Sequence, residues 1–139
     1  MRFLVLVKAK NEWDGDPPPA AMGVFNAALL RDGVMLAAEG LQPSSKGARI
    51  TYEGSRPVVT DGPFTETKEV IAGFWLVQAR SKDELIERFS HCPFERGESI
   101  EIRQLFEAED FAGDEATMNR LRTAAYDPHR VSETSNAKP

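Results

Sequence analysis

Cysteine is nearly absent from this chain. Cys92 is the single one in 139 residues, so no internal disulfide can form, and nothing else in the composition calls for an oxidising compartment. Histidine is almost as scarce: with only His91 and His129, no Cys and His residues recur at metal-ligand spacing, and no metal site is expected. Positive charge is not in excess. The 17 Lys and Arg stand against 22 Asp and Glu, a formal net charge of -5, whereas binding phosphates draws on clustered Lys and Arg. Nucleic acid is therefore excluded as a partner. No apolar run approaches the roughly 20 residues of a membrane-spanning helix, and Phe3 to Val7 is too short for the roughly 7–15 apolar residues of a secretory leader. The chain is expected to be cytoplasmic and to make no contact with a membrane. It also lacks G-x-S-x-G, a phosphate-cradling glycine loop and a dinucleotide fingerprint, so no cofactor is expected and the hydrolase and nucleotide-enzyme classes lose support.

What is present fits one globular domain. The chain is 41% hydrophobic and 28% charged, ordinary fractions at a length that buries one core. Phe3 to Val7 is apolar at every position, as in a strand covered on both faces. Asn11 to Pro19, with Asn, Asp, Gly and three successive prolines, reads as a loop running into a helix start. Met22, Phe25 and Leu29 recur at i, i+3 and i+7, predicting a helix over Ala20 to Arg31 that ends at Gly33. Val34 to Leu41 is a second strand. Ala48 to Glu53 and Arg56 to Thr60 flank Gly54-Ser55, a two-residue signal for a type II′ hairpin. Val70 to Ala79 is the longest strand, with Ile71, Gly73, Trp75, Val77 and Ala79 on one face and Ala72, Phe74, Leu76 and Gln78 on the other. Ser81-Lys82-Asp83-Glu84 is a capping-box pattern that predicts a second helix carrying Leu85, Ile86 and Phe89 and stopped by Pro93. Ser99 to Phe106 is the last strand. Asp114 is placed to cap a further helix with Met118, Leu121 and Ala125, and the polar stretch 127–139 reads as a disordered tail.

The order strand, helix, strand, hairpin, strand, helix, strand is an α+β ferredoxin-like plan, a βαβ repeat with an inserted β-hairpin. Its two helices lie on one side of the sheet. The strands Phe3 to Val7 and Val70 to Ala79 are apolar on both faces, so the other side leaves a patch of several hundred Å² facing water. The simplest cover is the same face of a second copy, a homodimer whose sheets pack as a barrel. The rival cover is the chain's own final helix.

Three stretches carry a family resemblance: Asp61-Gly62-Pro63-Phe64-Thr65-Glu66-Thr67-Lys68-Glu69 followed by Gly73-Phe74-Trp75; Gly33-Val34 leading to Glu39-Gly40-Leu41; and Ser99 to Phe111. Over about residues 1–111 the chain resembles the YCII-related group, specifically its DGPF-type branch. The resemblance implies a dimeric α+β barrel, beyond which 112–126 reads as a C-terminal helical extension. It supplies no established activity. Relatives in the broader group carry a histidine early in the first helix and an aspartate after the second, together proposed to transfer a proton. Met22 and Cys92 occupy those positions here, so that chemistry is not implied. Gln104 likewise stands where relatives show proline.

Asp61 is the candidate catalytic group. A carboxylate held in a Gly-Pro turn beside a cleft is placed to have its pKa raised and to act as a general base; the plainer reading is an Asx-turn aspartate bonding its own backbone. Glu39 and Arg103 are candidates to bind a polar ligand near Asp61, or to pair with each other. Lys68 and Glu66 are placed at the same mouth, although such charged loops are usually solvated. Phe64 and Trp75 are candidates for an aromatic wall, or for the core. Adjacent His91 and Cys92 fit a capping histidine and a buried thiol better than a nucleophile pair. Two functions follow: a domain that binds a small polar organic ligand with acid/base chemistry at Asp61, or a non-catalytic binding or regulatory module. The resemblance links the second to extracytoplasmic-function sigma factors, beside which such relatives are often encoded.

Overall fold

The computed structural model describes residues 1–13, 15–64, 69–111 and 114–123. In chain order they form β1 (Arg2–Ala9), α1 (Ala20–Arg31), β2 (Met35–Gly40), a 3-10 turn (Ser44–Lys46), β3 (Ala48–Glu53), β4 (Arg56–Asp61), β5 (Val70–Gln78), α2 (Lys82–Phe89), β6 (Ser99–Gln104), a second 3-10 turn (Ala108–Asp110) and α3 (Glu115–Thr123). β1, β2, β5 and β6 build one antiparallel sheet in the order β2-β5-β1-β6, and β3 pairs with β4 in a separate two-stranded sheet. With the hairpin set aside, this is the ferredoxin-like arrangement that the element order predicts.

Local chemistry explains where the elements stop. Gly33 takes φ +70°, the left-handed conformation that ends helices at little cost to glycine. The Val34 N–H then donates back to Leu29 O at 2.9 Å, and both side chains are buried. At the hairpin, Gly54 alone has positive φ (+59°) and Ser55 does not, which matches the type II′ expectation. Ser81 caps α2 by accepting the Glu84 N–H at 3.2 Å. The reciprocal half of the capping box differs from expectation: the Glu84 carboxylate accepts the Arg80 N–H at 3.0 Å, one residue before the cap. Asp114 caps α3, accepting the N–H groups of Ala116 and Thr117.

The core lies between the sheet and one layer of two helices. At its centre Val5 pairs with Trp75 on one side and Ile102 on the other. Phe3, Val5, Trp75 and Val77 pack under Leu29 of α1 and Leu85 and Phe89 of α2, all at most 5% exposed. Trp75 makes edge contacts with Phe25, Phe89 and Phe94 at centroid distances of 6.2, 5.2 and 6.2 Å. Arg88 joins the helices, donating to Asp32 Oδ2 at 2.9 Å.

Alternation directs Leu4, Leu6, Phe74 and Leu76 to the opposite face. The first three are half-buried and Leu76 is 9% exposed. α3 contacts the Ala108–Asp110 turn that precedes it. No described helix is long and apolar enough to cross a membrane.

Candidate functional site

The Pro-rich loop after β1 does not pack flat on the sheet. Pro17-Pro18-Pro19 keep it extended ahead of α1, and a cavity of about 770 Å³ opens between that loop, the sheet and the connection from α2 to β6. Its floor is Ala38, Gly73 and Trp75 of β2 and β5. Met22 and Asn26 of α1 form one wall, Pro93 and Phe94 another, and Glu12 and Trp13 a third. β2 and β5 approach closely beneath it: a Cβ on Gly73 would stand 2.8 Å from the Glu39 carbonyl oxygen. Trp13 lies over Gly40, where a Cβ would be 3.7 Å from the indole ring, and is 42% exposed at the cavity mouth.

Among the described lining residues the charge has one sign. Glu12, Asp16, Glu39, Glu95 and Glu98 all contribute, and no Lys, Arg or His is found among the described lining residues. The Glu12 carboxylate accepts the Ser44 N–H at 2.8 Å, and its bonds to the hydroxyl and N–H of Ser44 hold its pKa below the ordinary carboxylate value. Glu98 Oε2 accepts the Glu95 N–H at 2.8 Å. Burial, reinforced by the charge of Glu98, pushes the Cys92 thiol up to about 11, so it is a poor nucleophile at neutral pH. The indole N–H of Trp75 is taken by Asn26 Oδ1 at 2.9 Å. Among the described residues no group of three or more His, Cys, Asp or Glu is placed to hold a metal ion.

Of the candidate site residues named from sequence, Trp75 and Glu39 line this cavity, whereas Asp61, Phe64 and Arg103 do not. Trp75 is 5% exposed, and its ring is taken up mainly by the aromatic core. Glu39 is exposed on the edge strand β2, while Arg103 is exposed on the opposite edge strand β6 and donates to Glu101 Oε2 at 3.4 Å. Three strand spacings of about 4.8 Å separate those edges, roughly 14 Å, so Glu39 and Arg103 do not pair within one chain. Asp61 is exposed at the end of β4, opposite Ala48 of the hairpin, and is not part of the cavity lining. Phe64 lies under Arg49, whose guanidinium carbon is 3.9 Å from the ring centroid. Lys68 and Glu66 lie outside the described residues.

Sequence reading passed over Glu12, Trp13, Phe94 and Glu98. The available signal was an aromatic and a carboxylate inside a proline-rich loop directly after a strand, a common place for binding residues.

A family model for the YCII-related domain matches residues 1–109. The chain belongs to the YCII-related family. A curated relative from Rhizobium meliloti (strain 1021), itself an uncharacterised protein, is 38% identical over 47 residues. That stretch covers 34% of this chain and 38% of the relative's length.

In this YCII-related domain Met22 and Cys92 both serve as packing side chains. Met22 lines the cavity, and both side chains pack partly buried against the core. Neither supplies a group that titrates near neutrality, so among the described residues the ionisable groups facing the cavity are the carboxylates of the loop, of β2 and of the α2–β6 connection.

Proposed function

We propose that this YCII-related chain is a small-molecule-binding domain, whose ligand has an apolar body and a positively charged or strongly hydrogen-bond-donating end. One observation carries the reading: a cavity of about 770 Å³ lined by Trp13, Trp75 and Phe94, whose charged groups among the described lining residues are all carboxylates. A pocket of this volume accommodates a small organic molecule. Aromatic faces and carboxylates both attract organic cations, and an anion here meets five carboxylates with no compensating base among the described lining residues. Asp61 stands outside this cavity, so the reading is of binding and does not draw on general-base chemistry there. The Asp61–Phe64 segment supports placing the chain in the DGPF-type branch.

Thermal shift with a matched trio tests the proposal: phenethylamine, its neutral alcohol analogue and phenylacetate. The amine is expected to raise Tm most and phenylacetate least, and Trp13→Ala is expected to abolish the amine's effect. If none of the three moves Tm or quenches tryptophan fluorescence, the reading fails.

A second copy of the chain is proposed to cover the helix-free face of the sheet. Leu4, Leu6 and Phe74 support this, since they lie on that face only half-buried. Sedimentation equilibrium at micromolar concentration should give a dimer mass that Leu6→Glu reduces to the monomer mass. A wild-type monomer would remove this reading while leaving the cavity proposal in place.

A further inference from the structure

The Asp61–Phe64 segment lies outside the cavity, yet hydrogen bonds join it to one cavity wall. The Gly62 N–H donates to Gly47 O at 3.0 Å. A Cβ on Gly62 would overlap the Ser44 carbonyl group, so this turn sits flush on the Ser44–Lys46 turn, as only glycine permits. The Phe64 N–H donates to Ser44 Oγ at 3.3 Å.

Ser44 faces the cavity wall from its other side. Its N–H donates to Glu12 Oε1 at 2.8 Å, and its hydroxyl lies beside the same carboxylate, whose pKa it helps to lower. A hydroxyl has one hydrogen and two lone pairs. Accepting from Phe64 occupies a lone pair and leaves that hydrogen for the Glu12 carboxylate. Glu12 and its neighbour Trp13 are cavity-lining residues.

We propose that the Asp61–Phe64 turn is a positioning device: it holds Ser44, Ser44 holds Glu12, and Glu12 with Trp13 thereby forms one ordered wall of the cavity. The inference rests on the binding reading above and extends it by naming Gly62, Phe64 and Ser44 as positioning residues that act through Glu12. The chemical task of the turn is to set the shape of a site that it does not touch. The bonds from Ser44 are also what depress the Glu12 pKa, with no neighbouring cation contributing, so the titration of Glu12 reports on Ser44 directly.

The test needs no ligand. Site-resolved NMR on the full chain follows the Glu12 carboxyl carbon with pH, distinguishing it from Asp16, Glu39, Glu95 and Glu98, and follows the Trp13 indole N–H resonance. Ser44→Ala is expected to move the Glu12 midpoint upward toward the ordinary carboxylate value and to shift the Trp13 resonance, while Ser44→Thr keeps both near wild type. Gly62→Ala, which alters neither Ser44 nor Glu12 chemically, is expected to act like Ser44→Ala. A folded Gly62→Ala protein with an unchanged Glu12 midpoint and Trp13 resonance overturns the proposal. Should Gly62→Ala fail to fold, an unchanged Glu12 midpoint in Ser44→Ala overturns it equally. Failure of the amine probe to bind wild-type protein would strike the binding reading and leave these resonances as they are, so the two readings fail separately.

Discussion

The indole N–H of Trp75 donates to Asn26 Oδ1 across 2.9 Å, tying the second strand of the sheet to the helix packed above it. Trp75 is 5% exposed, so removing the acceptor leaves a desolvated donor. Asn26→Ala is expected to cost about 1–3 kcal/mol, read as a lower urea midpoint with an unchanged m-value. Asn26→Asp retains an acceptor and should recover part of that loss. An Asn26→Ala midpoint equal to wild type would mean that the indole finds another partner.

Gly73 lets β2 and β5 close beneath the cavity. Its missing Cβ would meet backbone, the Glu39 carbonyl oxygen at 2.8 Å, and backbone cannot swing aside as a side chain can. Gly73→Ala is expected to destabilise by about 1–3 kcal/mol. The same change should speed amide exchange at Leu41, whose N–H donates to Ala72 O at 2.9 Å. Wild-type exchange rates there would show that the strands tolerate the methyl group.

Stability should fall at both ends of the pH scale, by opposite signs of the same linkage. Hydrogen bonds from Arg88, then Arg31, hold Asp32 below its ordinary value; Lys8 does so for Glu101 and Arg2 for Glu107. Their contributions are complete above the unfolded value of about 4 and are lost as pH falls through the lower folded values. Lys8 is raised by Glu101, then Glu69, so its contribution is present below about 10.4 and is lost as pH rises through the folded value. These pairs are solvent-screened and each is modest. Unfolding midpoints across pH should show Asp32→Asn with a shallower acid limb and Lys8→Met with a shallower alkaline one. Limbs superimposable on wild type would deny those pairs a role.

Cys92 should be sluggish toward thiol reagents. With its pKa pushed up to about 11, against about 8.5 for a free thiol, iodoacetamide at pH 7.5 should react two to three orders of magnitude more slowly than with free cysteine. The rate should keep rising beyond pH 10. Alkylation of the native protein at the free-cysteine rate would contradict the buried-thiol assignment.

The elements were legible wherever local chemistry decides them. Met22, Phe25 and Leu29 mark α1 because a helix returns every third or fourth residue to one face, and Gly33 marks its end because the chain must then turn left-handed. Gly54-Ser55 marks the hairpin for a similar reason. The site was less legible because its members come from separate elements. Glu39 and Arg103 each look available in the sequence, yet the order β2-β5-β1-β6 sends them to opposite edges. Asp61 closes a strand of the hairpin, and that hairpin is a sheet of its own.

Read alone, the sequence determined the α+β class, the limits of α1, the start of α2, the hairpin and the family, since these rest on periodicity, turn stereochemistry and contiguous motifs. Tertiary structure alone decided that Glu12, Trp13, Phe94 and Glu98 surround one cavity, and that Ser44 stands between Glu12 and Phe64. Such proximity is set by sheet order and helix packing, which bring together residues more than 80 positions apart without leaving a local trace in the chain.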